Sequence, residues 1–285
     1  MKLAAAPLHV LVTGGSSGLG EQLAYAYARR GANVALFARR REELERVAEA
    51  CRAAGAGEAF SLPGDTTSAD DVTAAATQLA ERWPRVDRAF LNAGGGGGAT
   101  RWDPISCCDD PALTPRHFSA AHAAELMQLN YGGALLWLEQ LFPRMADGGG
   151  GKIALTGSMA ADGLLLTAGP YMASKMAVRG LVLGLRAHAA ALRIDLALIE
   201  PGFVDTPQTG GKRDLPFLIS AERAAEQICA RLERGATTIR IPRAMSLSNR
   251  LASLLPRSLY AAAMTRLYPA SLPPAGGGGD GGERE

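Results

Sequence analysis

The sequence predicts an α/β fold, a doubly wound parallel sheet of about seven strands followed by a C-terminal helical extension. Three observations predict it. Apolar runs of about four to eight residues alternate with stretches of helical periodicity. The runs are apolar throughout, as in strands covered on both faces. A glycine-rich turn stands between the first strand and the first helix.

The elements follow in order. Leu8–Thr13 is a short apolar run that stops at the glycine turn, so it reads as a strand, and Leu19–Arg30 as the helix after it. Asn33–Ala38 is the second strand and Glu42–Ala54 the second helix. Ala59–Leu62 and Ala69–Trp83 repeat the pattern, and Asp87–Asn92 opens the next unit. A glycine run and a polar insertion follow. Phe118–Met145 is helical, with Gly132-Gly133 the place for a break. Lys152–Thr156 is a strand, Tyr171–Leu192 a helix and Ile194–Glu200 a strand. Ala221–Arg234 and Thr237–Ile241 complete the series. Right-handed crossovers leave the doubly wound sheet as the simplest topology.

With 285 residues, length alone suggests roughly two domains at about 150 residues each. One domain, residues 7–242, nevertheless accounts for every element; 243–270 forms the helical extension and 271–285 a Gly-rich, charged tail expected to be disordered. An apolar content of 47% with 20% charged residues excludes a fibrous or disordered chain. A net charge of +2 without a Lys-rich block argues against nucleic acid as a partner. Lys2 and the apolar run Leu3–Val12 look like a short signal peptide, but the glycine turn follows where a cleavage segment would stand, and a buried first strand explains the run better. No apolar stretch reaches about 18 residues, so no spanning helix is expected. Cys51, Cys107, Cys108 and Cys229 form neither a disulfide framework nor CxxC, which favours a reducing cytoplasm. Vicinal Cys107-Cys108 read as ordinary loop residues rather than a redox pair. His9, His117, His122 and His188 have no metal-ligand spacing, so no metal is expected.

The turn Gly14-xxx-Gly18-x-Gly20 carries the first chemical signal. Glycines permit a tight bend and close approach of a pyrophosphate, and the helix N-terminus behind them supplies free N–H groups and a positive dipole end. This is the position of a dinucleotide in a Rossmann-like fold; a plain glycine-rich turn is the alternative. The second strand ends in Phe37-Ala38-Arg39-Arg40-Arg41, without the acid that usually receives the ribose hydroxyls of NAD. Guanidinium groups match a 2′-phosphate, so NADP(H) is favoured. A solvated helix start explains Arg41 best and Arg39 least.

Further along, Tyr171 and Lys175 are four apart on one helix face, with Ser158 thirteen residues before Tyr171 at the end of an apolar strand. Asn92-Ala93-Gly94 ends the fourth strand, Asn130 lies in a helical pattern beside Gly132-Gly133, and Pro201-Gly202 precedes Thr206. Taken with the glycine turn, these motifs resemble the short-chain dehydrogenase/reductase family over about residues 8–242. Each is weak alone; their order and spacing make the match. Read as chemistry, a nicotinamide transfers hydride while the protein supplies position and a proton. A free Tyr titrates near about 10. An ammonium such as Lys175 favours its phenolate, so Tyr171 exchanges a proton with the substrate oxygen while Ser158 hydrogen-bonds that oxygen.

The resemblance implies more. Lys175 would also hold the nicotinamide ribose, and Asn130 would order a relay water. The turn residues Gly14, Ser16, Ser17, Gly18, Leu19 and Gly20 would bind the cofactor, with Arg39 and Arg40 at its phosphate, Asp65 near the adenine, Asn92, Ala93 and Gly94 along it, and Pro201, Gly202 and Thr206 at the nicotinamide end. Plainer roles stay open: Ser158 as a helix cap, Asn130 as a polar break, Asn92 as a turn residue, Asp65 as a cap of the third helix, and Tyr171 and Lys175 as an interface residue and a solvated charge.

The segment 95–113 is longer than the family pattern and would shape the substrate mouth or extend the surface. Met159, Leu164, Leu165, Pro170 and Phe203 are the expected substrate-facing residues, and Val204–Ser220, with Phe217 and Leu218, the expected lid. An apolar ketone or aldehyde is therefore the favoured small-molecule partner, and assembly as a homodimer or homotetramer is expected. A membrane-associated lipid-ketone reductase and a nucleotide-binding regulator without turnover are the alternatives. Between Ala244 and Leu267 two amphipathic helices are expected. Leu247, Leu251, Leu254 and Leu255 lie on one face with Arg243 and Arg250 nearby, and no Asp or Glu occurs between Thr237 and Ala275. Packing on the chain's own core is favoured for that face over a subunit interface or substrate cover, and peripheral membrane contact is the least favoured.

Overall fold

The computed structural model describes residues 6–95, 119–162, 169–209, 215–256 and 258–259. Its elements run β1 (His9–Thr13), α1 (Gly18–Ala28), β2 (Asn33–Ala38), α2 (Arg41–Ala53), β3 (Ala59–Pro63), α3 (Ala69–Arg82), β4 (Arg88–Leu91), α4 (Ala120–Met127), α5 (Gly133–Asp147), β5 (Gly151–Thr156), α6 (Gly169–Ala191), β6 (Ile194–Pro201), β7 (Val204–Asp205), β8 (Ile219–Ser220), α7 (Ala221–Glu233), β9 (Thr238–Ile241) and α8 (Arg243–Ala252). The seven long strands pair in parallel in the order β3-β2-β1-β4-β5-β6-β9, which is the doubly wound sheet expected.

Sequence pattern explains each layer. Val10, Leu11 and Val12 of β1 are wholly buried, because helices cover both faces of the sheet. On one face α1, α2 and α7 contribute Leu23, Leu44, Val47 and Ile228; on the other α3, α5 and α6 contribute Leu79, Trp137, Leu141 and Val182. In α2 the buried Leu44, Val47, Ala48 and Cys51 recur at helical spacing, and the remaining positions are mostly charged. Ser68 caps α3 by accepting a hydrogen bond from the Asp71 amide at 3.2 Å, and Ser220 caps α7 in the same way. Trp137 meets the ring of Phe37 edge-on at 4.9 Å, locking α5 to β2.

Register puts the chemistry on one edge. Thr13 of β1 lies beside Phe37 of β2 and Leu91 of β4, so the segments after these strands leave the sheet together. The winding reverses between β1 and β4, the switch point at whose C-terminal side a doubly wound sheet takes its ligand.

Three departures from expectation concern function. The anticipated break at Gly132-Gly133 is a π-helical turn, Gln128–Gly132, which joins α4 to α5 without interrupting the helix. The Val204–Ser220 segment has its ends tied to each other, since β7 and β8 pair in parallel. The apolar face of the extension does not pack on the chain's own core: Leu247, Leu251, Leu254 and Leu255 are 60%, 59%, 79% and 49% exposed, and α8 buries no residue fully. Most of the 95–113 segment, Leu164 and Leu165, the second C-terminal helix and the 271–285 tail lie outside the described residues.

Candidate active site

The turn after β1 begins with Gly14 at φ +66°, a conformation L side chains rarely adopt, and an added Cβ would sit 2.9 Å from Ala93 Cα. The Gly14 amide donates to the Phe37 carbonyl at 2.7 Å, pinning the turn to β2. Ser17 is the N-cap of α1 but its side chain accepts no helix N–H. Instead Arg40 donates to Ser16 Oγ at 3.0 Å and Ser17 Oγ at 2.8 Å. One guanidinium, two hydroxyls and an uncapped helix N-terminus meet at a glycine-rich bend, a donor set that fits the phosphates of a dinucleotide. Thr206 closes the turn from the other side, 3.2 Å from where a Gly18 side chain would begin. Leu19 and Gly20 continue into the buried start of α1.

Arg39 makes no hydrogen bond to this turn among the described residues. It is 76% exposed and stands 3.9 Å from Asp65. Asp65 does not cap α3; its carboxylate accepts from the amide and hydroxyl of Thr67 at 2.9 and 2.8 Å, leaving the cap to Ser68.

Asn92 connects the turn to the second half of the site. Its amide nitrogen lies against Gly14 and Gly20, and its Oδ1 accepts from the Thr156 hydroxyl at 3.2 Å. The Asn92 and Ala93 amides both donate to Thr13 Oγ1 at 3.0 Å. The Thr156 carbonyl in turn accepts from Lys175 Nζ at 3.0 Å. Gly94 allows this convergence, since a Cβ there would lie 2.6 Å from Asn130 Oδ1 and 3.2 Å from Lys175 Nζ.

Asn130 sits inside the π turn and is only 3% exposed. Its amide donates to the Gly95 carbonyl at 2.9 Å and to Ser174 Oγ at 3.1 Å, and its Oδ1 accepts from the Gly95 amide at 3.0 Å. It is therefore a brace between β4, α4–α5 and α6, more than a polar break. Ser158 Oγ accepts from the Ala160 amide at 3.0 Å, so it does cap the short turn Met159–Asp162, and its own O–H remains a donor for the Tyr171 side. Tyr171 is half-buried on α6 with Lys175 Nζ 5.8 Å from its ring centroid. Burial pushes the Tyr171 phenol up, and the Ser158 hydroxyl pulls it partly back by hydrogen bonding. Burial also pushes the Lys175 ammonium down to about 8. For the Tyr171 phenol, burial thus outweighs the Ser158 hydrogen bond in the chain alone.

Sequence reading missed the frame around these groups. Arg179, one turn beyond Lys175, donates to Glu200 at 2.6 Å, to Asp162 at 2.9 Å and to the Ala161 carbonyl at 2.9 Å. Arg240 of β9 pairs with the same two acids, and Asn249 of α8 donates to Asp162 Oδ2 at 2.9 Å. Burial alone pushes Asp162 up, but hydrogen bonds from Arg240, Asn249 and Arg179 hold its carboxyl below the usual range. This network fixes the turn bearing Ser158 to the helix bearing Tyr171 and to Pro201-Gly202. The Met245 side chain of α8 lies over Gly202, where an added Cβ would have to displace its sulfur, and Met159, expected to face substrate, is 1% exposed beneath them. The signal available was position: Arg179 repeats the four-residue step of Tyr171 and Lys175.

Comparison with known proteins gives the family of the chain. The family model for short chain dehydrogenase matches residues 8–215. The 11-beta-hydroxysteroid dehydrogenase-like 2 of Arabidopsis thaliana is 31% identical over 201 residues, 70% of this chain but 60% of that protein's length. The A-factor type gamma-butyrolactone 1'-reductase of Streptomyces virginiae is 35% identical over 195 residues, covering 67% of this chain and 70% of the relative. An alcohol dehydrogenase from Thermococcus sibiricus, solved with 5-hydroxy-NADP, superposes with a TM-score of 0.68 at 26% identity over 82% of this chain and 94% of that one. Among the described residues no helix is long and apolar enough to cross a membrane. A parallel sheet wound about a glycine turn, a tyrosine and lysine on one helix face beside it, and a family match across most of its length place the chain in the short-chain dehydrogenase family of oxidoreductases.

Proposed function

We propose that the protein is an NADPH-dependent reductase of an apolar ketone or aldehyde, with Tyr171 as proton donor. The observation that carries this reading is the convergence of Ser158, Tyr171, Lys175 and the Asn130 brace beside the glycine turn. Arg40 at Ser16 and Ser17, with no acid at the end of β2, supports NADPH over NADH. When bound, the nicotinamide supplies hydride to the carbonyl carbon.

The chain's own residues do the rest. The Ser158 O–H donates to the carbonyl oxygen and aligns it. The Tyr171 O–H gives its proton to that oxygen as it becomes an alkoxide, leaving a phenolate. The Lys175 ammonium, held on the Thr156 carbonyl, offsets the phenolate charge. Asn130 and Ser174 keep α6 in register with the strand ends, so the tyrosine meets the oxygen at a fixed height.

The test is NADPH consumption against ketones and aldehydes graded from short to long chain. Turnover that improves with apolar length supports the reading. Tight NADPH binding without turnover on any carbonyl would point to a nucleotide-binding regulator, and absence of NADPH binding would refute the cofactor assignment.

A further inference from the structure

The most unusual charge distribution lies away from the crevice, where α8 leaves β9. Arg243, Ser246 and Arg250 sit on one face of α8 at helical spacing. They face Thr238 and Arg240, alternate residues of β9, and Arg231 from the last turn of α7, across a cleft of about 320 Å³.

Arg240 apart, the positive charge here is not neutralised among the described residues. Arg231 is held by backbone carbonyls, those of Arg240 at 2.8 Å and Thr238 at 3.4 Å. Arg240 spends its terminal nitrogens on Asp162 and Glu200, while its buried Nε has no partner among the described residues. Among the described residues no carboxylate pairs with Arg231, Arg243 or Arg250, and the sequence has no Asp or Glu from Thr237 to Ala275. Burial, then the charge of Arg243, lowers the Arg231 guanidinium below its usual value. Pro242, the N-cap of α8, offers its first N–H groups no side-chain acceptor. A folded chain does not gather three like charges, two hydroxyls and a helix N-terminus around one cleft at no cost; a multiply charged anion relieves the repulsion.

We propose that this cleft is a binding site for a phosphate group, carried either by a soluble phosphoester or by an anionic lipid headgroup. Leu247, exposed on α8, lines the cleft beside the arginines and motivates the second source. An anion there bridges α7 and α8, and so steadies the contacts of α8 with Gly202 and Asp162. The site is separate from the glycine turn, and its existence does not depend on the reductase reading.

The experiment uses the full chain at constant ionic strength, with chloride as the control anion and NADP+ present to occupy the turn. Inorganic phosphate is expected to raise the melting temperature, with an apparent Kd about tenfold weaker in Arg243→Gln and in Arg231→Gln. Arg243→Lys, which keeps the charge but loses the fork, is expected to fall between. Arg40→Gln reports any phosphate bound at the turn, so failure of NADP+ to bind would be seen separately. In parallel, phosphatidylcholine vesicles with and without phosphatidylglycerol are sedimented with each protein. Response to phosphate alone identifies a soluble ligand; Arg243-dependent capture by the anionic vesicles identifies the lipid. Insensitivity to both probes, or equal responses in parent and variants, overturns the proposal.

Discussion

Lys175→Met in the cofactor-free protein is expected to change stability through one window of pH. The parent buries this ammonium, at 4% exposure, and its titration falls from 10.5 to about 8. The gap between the two values is worth about 3 kcal/mol. Below about pH 8 the amine is protonated in both folded and unfolded chains, and the folded one carries the full burial penalty. Between about 8 and 10.5 the unfolded chain binds more protons, so the parent gains stability as pH rises. Methionine has no such penalty. It does leave the Thr156 carbonyl without its donor, a cost of about 1–3 kcal/mol that does not vary with pH. The unfolding free energy of the parent minus that of the variant is therefore expected to rise by about 2–3 kcal/mol between about pH 7 and 10. Urea unfolding at a series of fixed pH values measures it, and titration of Tyr171 contributes similarly to both proteins. A flat difference would refute the reasoning, because it would mean that Lys175 titrates in the folded chain as it does in water.

Other substitutions test the remaining parts of the site. Tyr171→Phe is expected to leave less than about a tenth of kcat with NADPH affinity nearly unchanged, and Ser158→Ala to lower kcat more than cofactor affinity; steady-state rates and binding titrations distinguish the two effects. The parent should bind NADPH at least about tenfold more tightly than NADH, about 1.4 kcal/mol, and replacing Arg39 and Arg40 by Asp should reverse the order, measured as the two dissociation constants. Asp162→Ala strips the shared acceptor from Arg179, Arg240 and Asn249, and should cost about 3 kcal/mol in denaturant unfolding while lowering kcat more than it changes NADPH affinity. Trp137→Ala, deep between α5 and β2, should cost about 3–5 kcal/mol with no change in cofactor preference.

Much of the fold and part of the site were legible in the sequence, because they rest on local chemistry. Strands buried on both faces must be apolar runs, so β1 to β6 and β9 were found within two residues of their ends. A glycine turn after a first strand and a Tyr-Lys pair at helical spacing mark positions where only certain residues fit, and both lie on the edge expected of them. Tertiary structure decided the rest, since it depends on which distant residues meet. That Arg40 rather than Arg39 covers the turn follows from how α2 leaves β2. From the π turn the Asn130 amide reaches both Gly95 and Ser174, partners 79 residues apart in the chain. The acids Asp162 and Glu200, the arginines Arg179 and Arg240 and the helix α8 look unremarkable one by one; packing around the strand ends makes them a single network. The burial of Lys175 and Tyr171 was hidden from sequence for the same reason, because spacing reveals a neighbouring charge but not the water that folding removes from both.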